Sequence, residues 1–312
     1  MDQRLTTISL FLFFLLVLAI NPAYSKPIPI RFCGNLIVIR ATVNHQTGNF
    51  IIDTGTSNIL LNARYFSGEP SDKYFVGITG DLQEMQVTRS TLQIGDLSWK
   101  NAYSQIVTMS LIETKAGIPI HGLIGSSLFR KYEVQFNYRA QQIEIHSIKR
   151  KKDPSSASPD EPDQSIAFRY KGGTPTISIA LNGVKMRVVL DTGAEVNLMD
   201  LQTSKQVISD ISNSRYRNIG GFGDEIKNRI VIPIPELKIG SLFLDSTDWT
   251  VIGSWDDLNY TLSGPKIQGI LGHELFSAMK VSIDFRNKVV HLWPYPEEKR
   301  INEPAKNNVV LE

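Results

Sequence analysis

The chain has 312 residues, 42% of them hydrophobic, enough for one large core or two modest ones. Lys and Arg number 33 against 31 Asp and Glu, a formal charge of +2, and that balance excludes the broad basic footprint of a nucleic-acid binder. The single cysteine, Cys33, excludes an internal disulfide framework and is expected to be a small buried hydrophobe near a strand start.

In chain order, "MDQRLTTISLFLFFLLVLAINPAYSKP" opens with one basic residue, Arg4, then an apolar run from Leu10 to Ile20 and small residues at Ala23 and Ser25. The run is short of the roughly 20 residues that span a bilayer. Residues 1–25 therefore read as a cleaved secretory leader, with an uncleaved anchor as the alternative. The mature chain would start near Lys26, be secreted or periplasmic, and have no stable membrane insertion. Residues 26–148 are strand-rich. "NLIVIRATVNHQTGNFIIDTG" reads as a hairpin with a longer turn at Asn44 to Gly48, its second strand running into Asp53-Thr54-Gly55. Then come a glycine-rich tip, "GITGD" from Gly77 to Asp81, the tetrad "LQIG", and "HGLIGSSLFRKYEVQFNYRAQQIEIH" from His121. Residues 149–165, "KRKKDPSSASPDEPDQS", are charged, Pro/Ser-rich and aperiodic, and read as a linker.

Residues 166–296 then repeat the first unit. "TPTISIALNGVKMRVVLDTG" is a hairpin with a two-residue Asn182-Gly183 turn, leading into Asp191-Thr192-Gly193. "GGFGD" (Gly220 to Asp224) answers "GITGD", "LKIG" answers "LQIG", and "QGILGHELFSAMKVSIDFRNKVVHLW" answers the segment from His121. The triplets lie 138 residues apart (191 − 53), and the last segments 147 apart (268 − 121), a drift that loops absorb. Residues 297–312 read as a polar tail. The fold expected is all-β, two similar lobes related by a pseudo-two-fold axis, with short helices in "SSLFRKY", in "HELFSAM" and after each triplet.

Each Asp ends an apolar strand, where a carboxylate costs desolvation unless its charge is shared or hydrogen-bonded. Two such residues in two copies of one unit suggest that the axis brings the carboxyls together. Two carboxyls in contact share one proton. The ionised member can then activate a water while the other protonates a carbonyl oxygen, which hydrolyses an amide without metal or covalent intermediate.

"IIDTGTSNILL" and "VVLDTGAEVNLMD", each followed by a glycine-rich hairpin and then "GLIG" or "GILG", resemble the aspartic proteases. The ending "QGILGHELFSAMKVSIDFR" resembles in particular the bacterial retropepsin-like aspartyl protease domains, and the resemblance runs from about Arg31 to Trp293. It implies two fused retropepsin-like lobes, a monomer with an internal pseudo-dimer, with the active site between them. It implies that Asp53 and Asp191 are the catalytic dyad of an endopeptidase acting on peptide or protein in extended conformation. Thr54 and Thr192 would brace the lobes by hydroxyl hydrogen bonds, and Gly55 and Gly193 would line the cleft. Two flaps are expected, at Gly77, Ile78, Thr79 and Gly80 and at Gly221, Phe222 and Gly223, with Tyr74 close to the first. "DTGTS" is pepsin-like, so the Thr56 hydroxyl is expected on Asp53. "DTGAE" is retroviral-like, and Ala194 offers no hydroxyl. That difference makes Asp53 the expected ionised partner and Asp191 the protonated one, with an optimum at mildly acidic to neutral pH.

Other chemistries lack their parts. The five histidines show no H-E-x-x-H metal spacing, and neither a metal nor a cofactor is expected. "GGFG" has no following helix and acidic ribose ligand. Ser57, Ser126 and Ser127 have no His-Asp set nearby, and Asn259-Tyr260-Thr261 is a lone sequon. The alternative of a different class is a catalytically silent peptide-binding module that retains the cleft.

Overall fold

The computed structural model describes residues 26–77, 82–148, 160–208, 210–222, 226–253 and 266–296. The leader, most of the linker, the sequon and the tail lie outside these residues. The first half runs through β1 (Ile28–Pro29), β2 (Arg31–Cys33), β3 (Leu36–Val43), β4 (Gln46–Asp53), β5 (Ile59–Asn62), β6 (Glu69–Val76), β7 (Leu82–Ile94), β8 (Leu97–Val107), β9 (Gly122–Gly125), β10 (Tyr132–Asn137) and β11 (Gln142–Ser147). The second half runs through β12 (Gln164–Ala167), β13 (Arg169–Lys171), β14 (Thr174–Leu181), β15 (Val184–Leu190), β16 (Asn197–Asp200), β17 (Arg215–Ile219), β18 (Lys227–Ile239), β19 (Leu242–Ile252), β20 (Gly269–Leu271), β21 (Met279–Asp284) and β22 (Val289–Pro294).

Two 8-stranded sheets carry the repeat, in the orders β2-β3-β4-β9-β5-β8-β7-β6 and β13-β14-β15-β20-β16-β19-β18-β17. Strand for strand the orders are the same, so the fold is all-β with two like lobes. The likeness reaches side-chain burial. Both β3 and β14 bury every position except an exposed Arg40 or Ser178 and a half-buried Thr42 or Ala180. The hairpin turns are alike too. Val43 faces Gln46 and Leu181 faces Val184, so each loop is two residues, with positive φ at Asn44 (46°) and His45 (71°) and at Asn182 (47°) and Gly183 (77°). The longer turn read at Asn44 to Gly48 is therefore a tight one. Asn and His tolerate the left-handed region that such a turn demands, so glycine is not needed there.

A third sheet, in the order β1-β11-β10-β21-β22-β12, is built from both halves. Its centre is the antiparallel pair β10–β21, with Val134 opposite Ile283 and Phe136 opposite Val281. Gln164 and Ser165, read from the sequence as linker, pair with Leu292 and His291 at its edge. Beneath it one apolar core is continuous between the lobes, with Phe129 5.8 Å from Phe285 and Phe136 5.5 Å from Phe276 between ring centroids. Cys33 is buried, as expected, in a smaller cluster with Leu36, Val38 and Ile51.

Helices are few and short. The expected helix after the second Gly element is His273–Ala278, whereas its counterpart is a single 3-10 turn, Ser126–Phe129. Tyr132, which the sequence gave to that helix, is drawn into β10. A helix does follow the second triplet, Leu201–Val207, capped by the Asp200 carboxylate accepting from the Thr203 N–H at 2.6 Å. After the first triplet the chain instead turns at Ala63 to Tyr65. Ser110–Ala116 is a helix that the sequence pattern did not announce. No helix among the described residues is long and apolar enough to cross a membrane.

Candidate active site

Each Asp-Thr-Gly begins where a buried strand runs out. β4 lies parallel to β9, placing Asp53 opposite Gly125, and the Asp191 N–H donates to Leu271 O of β20 at 3.0 Å. The chain then folds back on the carboxylate. Gly55 and Thr56 donate their N–H groups to Asp53 Oδ1 at 2.8 and 3.0 Å, and Gly193 donates to Asp191 Oδ1 at 2.8 Å. The glycines are needed for close approach. A Cβ on Gly193 would lie 2.6 Å from Asp53 Cγ, and one on Gly55 would collide with the Asp191 carboxylate. The repeated Gly elements serve the same loops from below. Ser126 N donates to Thr56 O at 2.9 Å and His273 N to Ala194 O at 3.0 Å.

The threonines cross between lobes. Thr54 Oγ1 donates to Leu190 O at 2.7 Å and accepts from the Thr192 N–H at 3.1 Å. Thr192 Oγ1 donates to Ile52 O at 2.8 Å and accepts from the Thr54 N–H at 3.1 Å. All four bonds are buried. This is the brace expected from the resemblance, and it sets the two carboxyls within hydrogen-bonding reach of each other.

Both carboxyls are pushed above the ordinary aspartate value. For Asp53 burial is the main cause, followed by the charge and hydrogen bond of Asp191, against the donors Thr56 and Gly55. For Asp191 burial again raises, but the Asp53 side chain and the N–H groups of Gly193, Gly55 and Ala194 lower it. Both carboxyls therefore hold a proton more tightly than an isolated aspartate does. Thr56 reaches Asp53 through its backbone N–H rather than the expected hydroxyl.

The carboxyls open onto a cleft of about 510 Å³ between the lobes. Its walls are apolar on both sides, with Ile51, Ile112 and Leu123 from the first lobe and Leu198, Ile219 and Ile270 from the second. Two hairpins roof it. The Phe75 and Phe222 rings meet edge to face at 4.7 Å, and the Gln83 side-chain amide donates to Phe222 O. Of the residues expected in flaps, Gly77, Gly221 and Phe222 line the cleft. Ile78, Thr79, Gly80 and Gly223 lie outside the described residues. Tyr74 is 60% exposed and points away, and Phe75 has the place beside the cleft instead.

Several site residues were not foreseen. Glu195, two beyond Gly193, crosses to the first lobe. Its Oε2 pairs with Lys115 at 3.3 Å, and its backbone O accepts from the Asn35 side chain at 3.0 Å. Beside it His273 Nδ1 sits 3.2 Å from Asn35 O, an acceptor that requires the proton on that nitrogen. Burial holds His273 below the usual histidine range. At the symmetry-related place Ser57 lies against Gly173, whose O accepts from Ser126 Oγ at 2.9 Å. The contrast of "DTGTS" with "DTGAE" held this signal, one residue past Thr56 and Ala194. Glu274, behind the second wall, accepts from Asn197 Nδ2 and the Asp248 N–H, both at 3.0 Å, and burial lifts its carboxyl to about 7.

No curated protein matches this chain. Residues 177–275, a stretch that holds Asp191, Thr192 and Gly193, the second flap and the second Gly element, match the family model Asp_protease_2, described as aspartyl protease.

Proposed function

We propose that the chain is an aspartic endopeptidase, a hydrolase of peptide bonds in which Asp53 and Asp191 work as one pair. The observation that carries this reading is the meeting of two braced Asp-Thr-Gly turns at the floor of a roofed, apolar-walled cleft. An extended peptide lies in that cleft with its carbonyl above the pair. The ionised carboxylate takes a proton from a water as the water oxygen bonds to the carbonyl carbon. The protonated carboxyl gives its proton to the carbonyl oxygen. The tetrahedral diol then collapses: one of its hydroxyls returns a proton to the ionised carboxylate as the C=O re-forms, the C–N bond breaks, and the leaving nitrogen takes the proton held by the other carboxyl, so the pair ends with one proton as it began. Export by residues 1–25, lobes at 26–148 and 166–296 and a monomeric state complete the reading.

The test is cleavage of a denatured protein by the purified chain, with and without a pepstatin-type inhibitor, beside Asp53→Asn. Inhibitable cleavage by the wild type alone is expected. A wild type that binds peptide and never cuts would point to the silent module. The pH profile is a second check. Because both carboxyls are raised, the singly protonated pair persists toward neutrality, and a peak at mildly acidic to neutral pH is expected. A peak below about pH 3 would contradict the reading.

A further inference from the structure

Apart from the pair itself, the charged residues lining the cleft among the described residues are Lys115, Glu195 and Arg217. Lys115 and Glu195 satisfy each other across the lobes. Arg217 makes no ion pair with a carboxylate among the described residues. Its neighbour Arg215 takes Asp248, and Glu274, whose carboxyl feels the charge of Arg217, accepts its two hydrogen bonds from Asn197 and Asp248. The strand explains where Arg217 points. In β17, Arg217 and Ile219 are half-buried and line the cleft, Tyr216, between Arg215 and Arg217, is 74% exposed, and Asn218 is exposed at the cleft's edge. Among the described residues, the opposite hairpin brings the apolar side chains Phe75 and Val76. The described walls of the cleft thus place a cation on the second-lobe side and apolar groups opposite.

We propose that Arg217 is a specificity-determining residue, selecting peptides with a carboxylate side chain, Asp or Glu, on the second-lobe side of an apolar pair seated at Asp53 and Asp191. The proposal rests on the reading of the cleft as a peptide site. A guanidinium can grip a carboxylate through two parallel N–H bonds, a geometry that a carboxamide offers poorly. Arg217 is partly exposed, so the preference for Glu over Gln is expected to be roughly two- to fivefold and to weaken with salt.

The experiment uses fluorescein-labelled alanine octapeptides with a central Leu-Phe pair and one Glu or Gln moved along the flanking positions. Binding is followed by anisotropy in the Asp53→Asn protein, which does not require cleavage. At one flanking position Glu is expected to bind more tightly than Gln, with the ratio falling to about one in Arg217→Gln and to an intermediate value in Arg217→Lys, which keeps the charge but not the fork. A ratio near one at every position, or a ratio that survives Arg217→Gln, overturns the proposal. Absence of binding by every peptide sinks the peptide-site reading beneath it, a separate outcome.

Discussion

At the scale of single residues, the site stores unfavourable charge. A carboxyl whose folded value is raised binds more protons folded than unfolded, so stability falls as pH climbs from the ordinary carboxylate value through the raised one. Asp53 and Asp191 are such a pair. Asp53→Asn keeps an acceptor for the Gly55 and Thr56 N–H groups and removes the repulsion. It is expected to lower activity by at least about 10²- to 10⁴-fold while raising the melting temperature at neutral pH. A variant that melts lower than wild type at pH 7 would contradict this. Glu274 makes the same argument away from the pair. With its carboxyl lifted from 4.5 to about 7, it subtracts up to about 3 kcal/mol as pH rises through that window. Glu274→Gln retains an oxygen for Asn197 and Asp248 and is expected to melt several degrees higher at pH 8, with no gain at pH 4. Thermal unfolding across pH reads both. The pairing of Asp53 with Asp191 was legible in the sequence, and the effect at Glu274 was not. "GHELF" announces a helix, but what desolvates Glu274 comes from β16 and β19, distant in the chain.

At the scale of elements, the brace and the roof make different predictions. Thr54→Val leaves the Thr192 N–H without its acceptor and Leu190 O without its donor, both buried. A loss of about 1–3 kcal/mol is expected, with Thr54→Ser near wild type, by denaturant unfolding. A harmless valine would mean that the lobes do not depend on the brace. Phe222→Ala removes a peripheral aromatic contact worth about 0.5–1.5 kcal/mol. It is expected to lower kcat/KM about two- to tenfold with the melting temperature barely moved; an equal loss of stability would make Phe222 a core residue instead. The elements most legible in advance were those with local causes: β-branched hairpins, Asn-Gly, and strands running into Asp-Thr-Gly. The helix expected over "SSLFRKY" shortens to the 3-10 turn Ser126–Phe129, and Tyr132 at its end pairs with Ser147 of β11 instead. Ser110–Ala116 escaped notice because it is 7 residues long, has no side-chain N-cap, and is stopped by Gly117 in the left-handed region (φ 65°).

At the scale of the molecule, the repeat announced two lobes but not how they are joined. That join is a sheet with β10 and β21 at its centre and a core that passes beneath it unbroken. The contacts lie about 150 residues apart in sequence, for instance Phe136 with Val281, and no local pattern signals such a pairing. One consequence is cooperativity. The lobes are expected to unfold in a single calorimetric transition. Phe136→Ala, at a fully buried ring, should shift that transition by about 3–5 kcal/mol without splitting it. Two resolved transitions in the wild type would mean that the shared core does not couple the halves.

Lys115 and Glu195 tie one end of the cleft, where its mirror position has only Ser57 against Gly173. A cleft made of two identical subunits looks the same from either end, so an asymmetric peptide can enter it in two equivalent senses. Here the ends differ. If the cleft takes peptide as proposed, it is expected to tell the amino-terminal from the carboxy-terminal direction, and a peptide and its reversed sequence should be handled at different rates. Equal rates for the two would mean that the difference between the ends is not read.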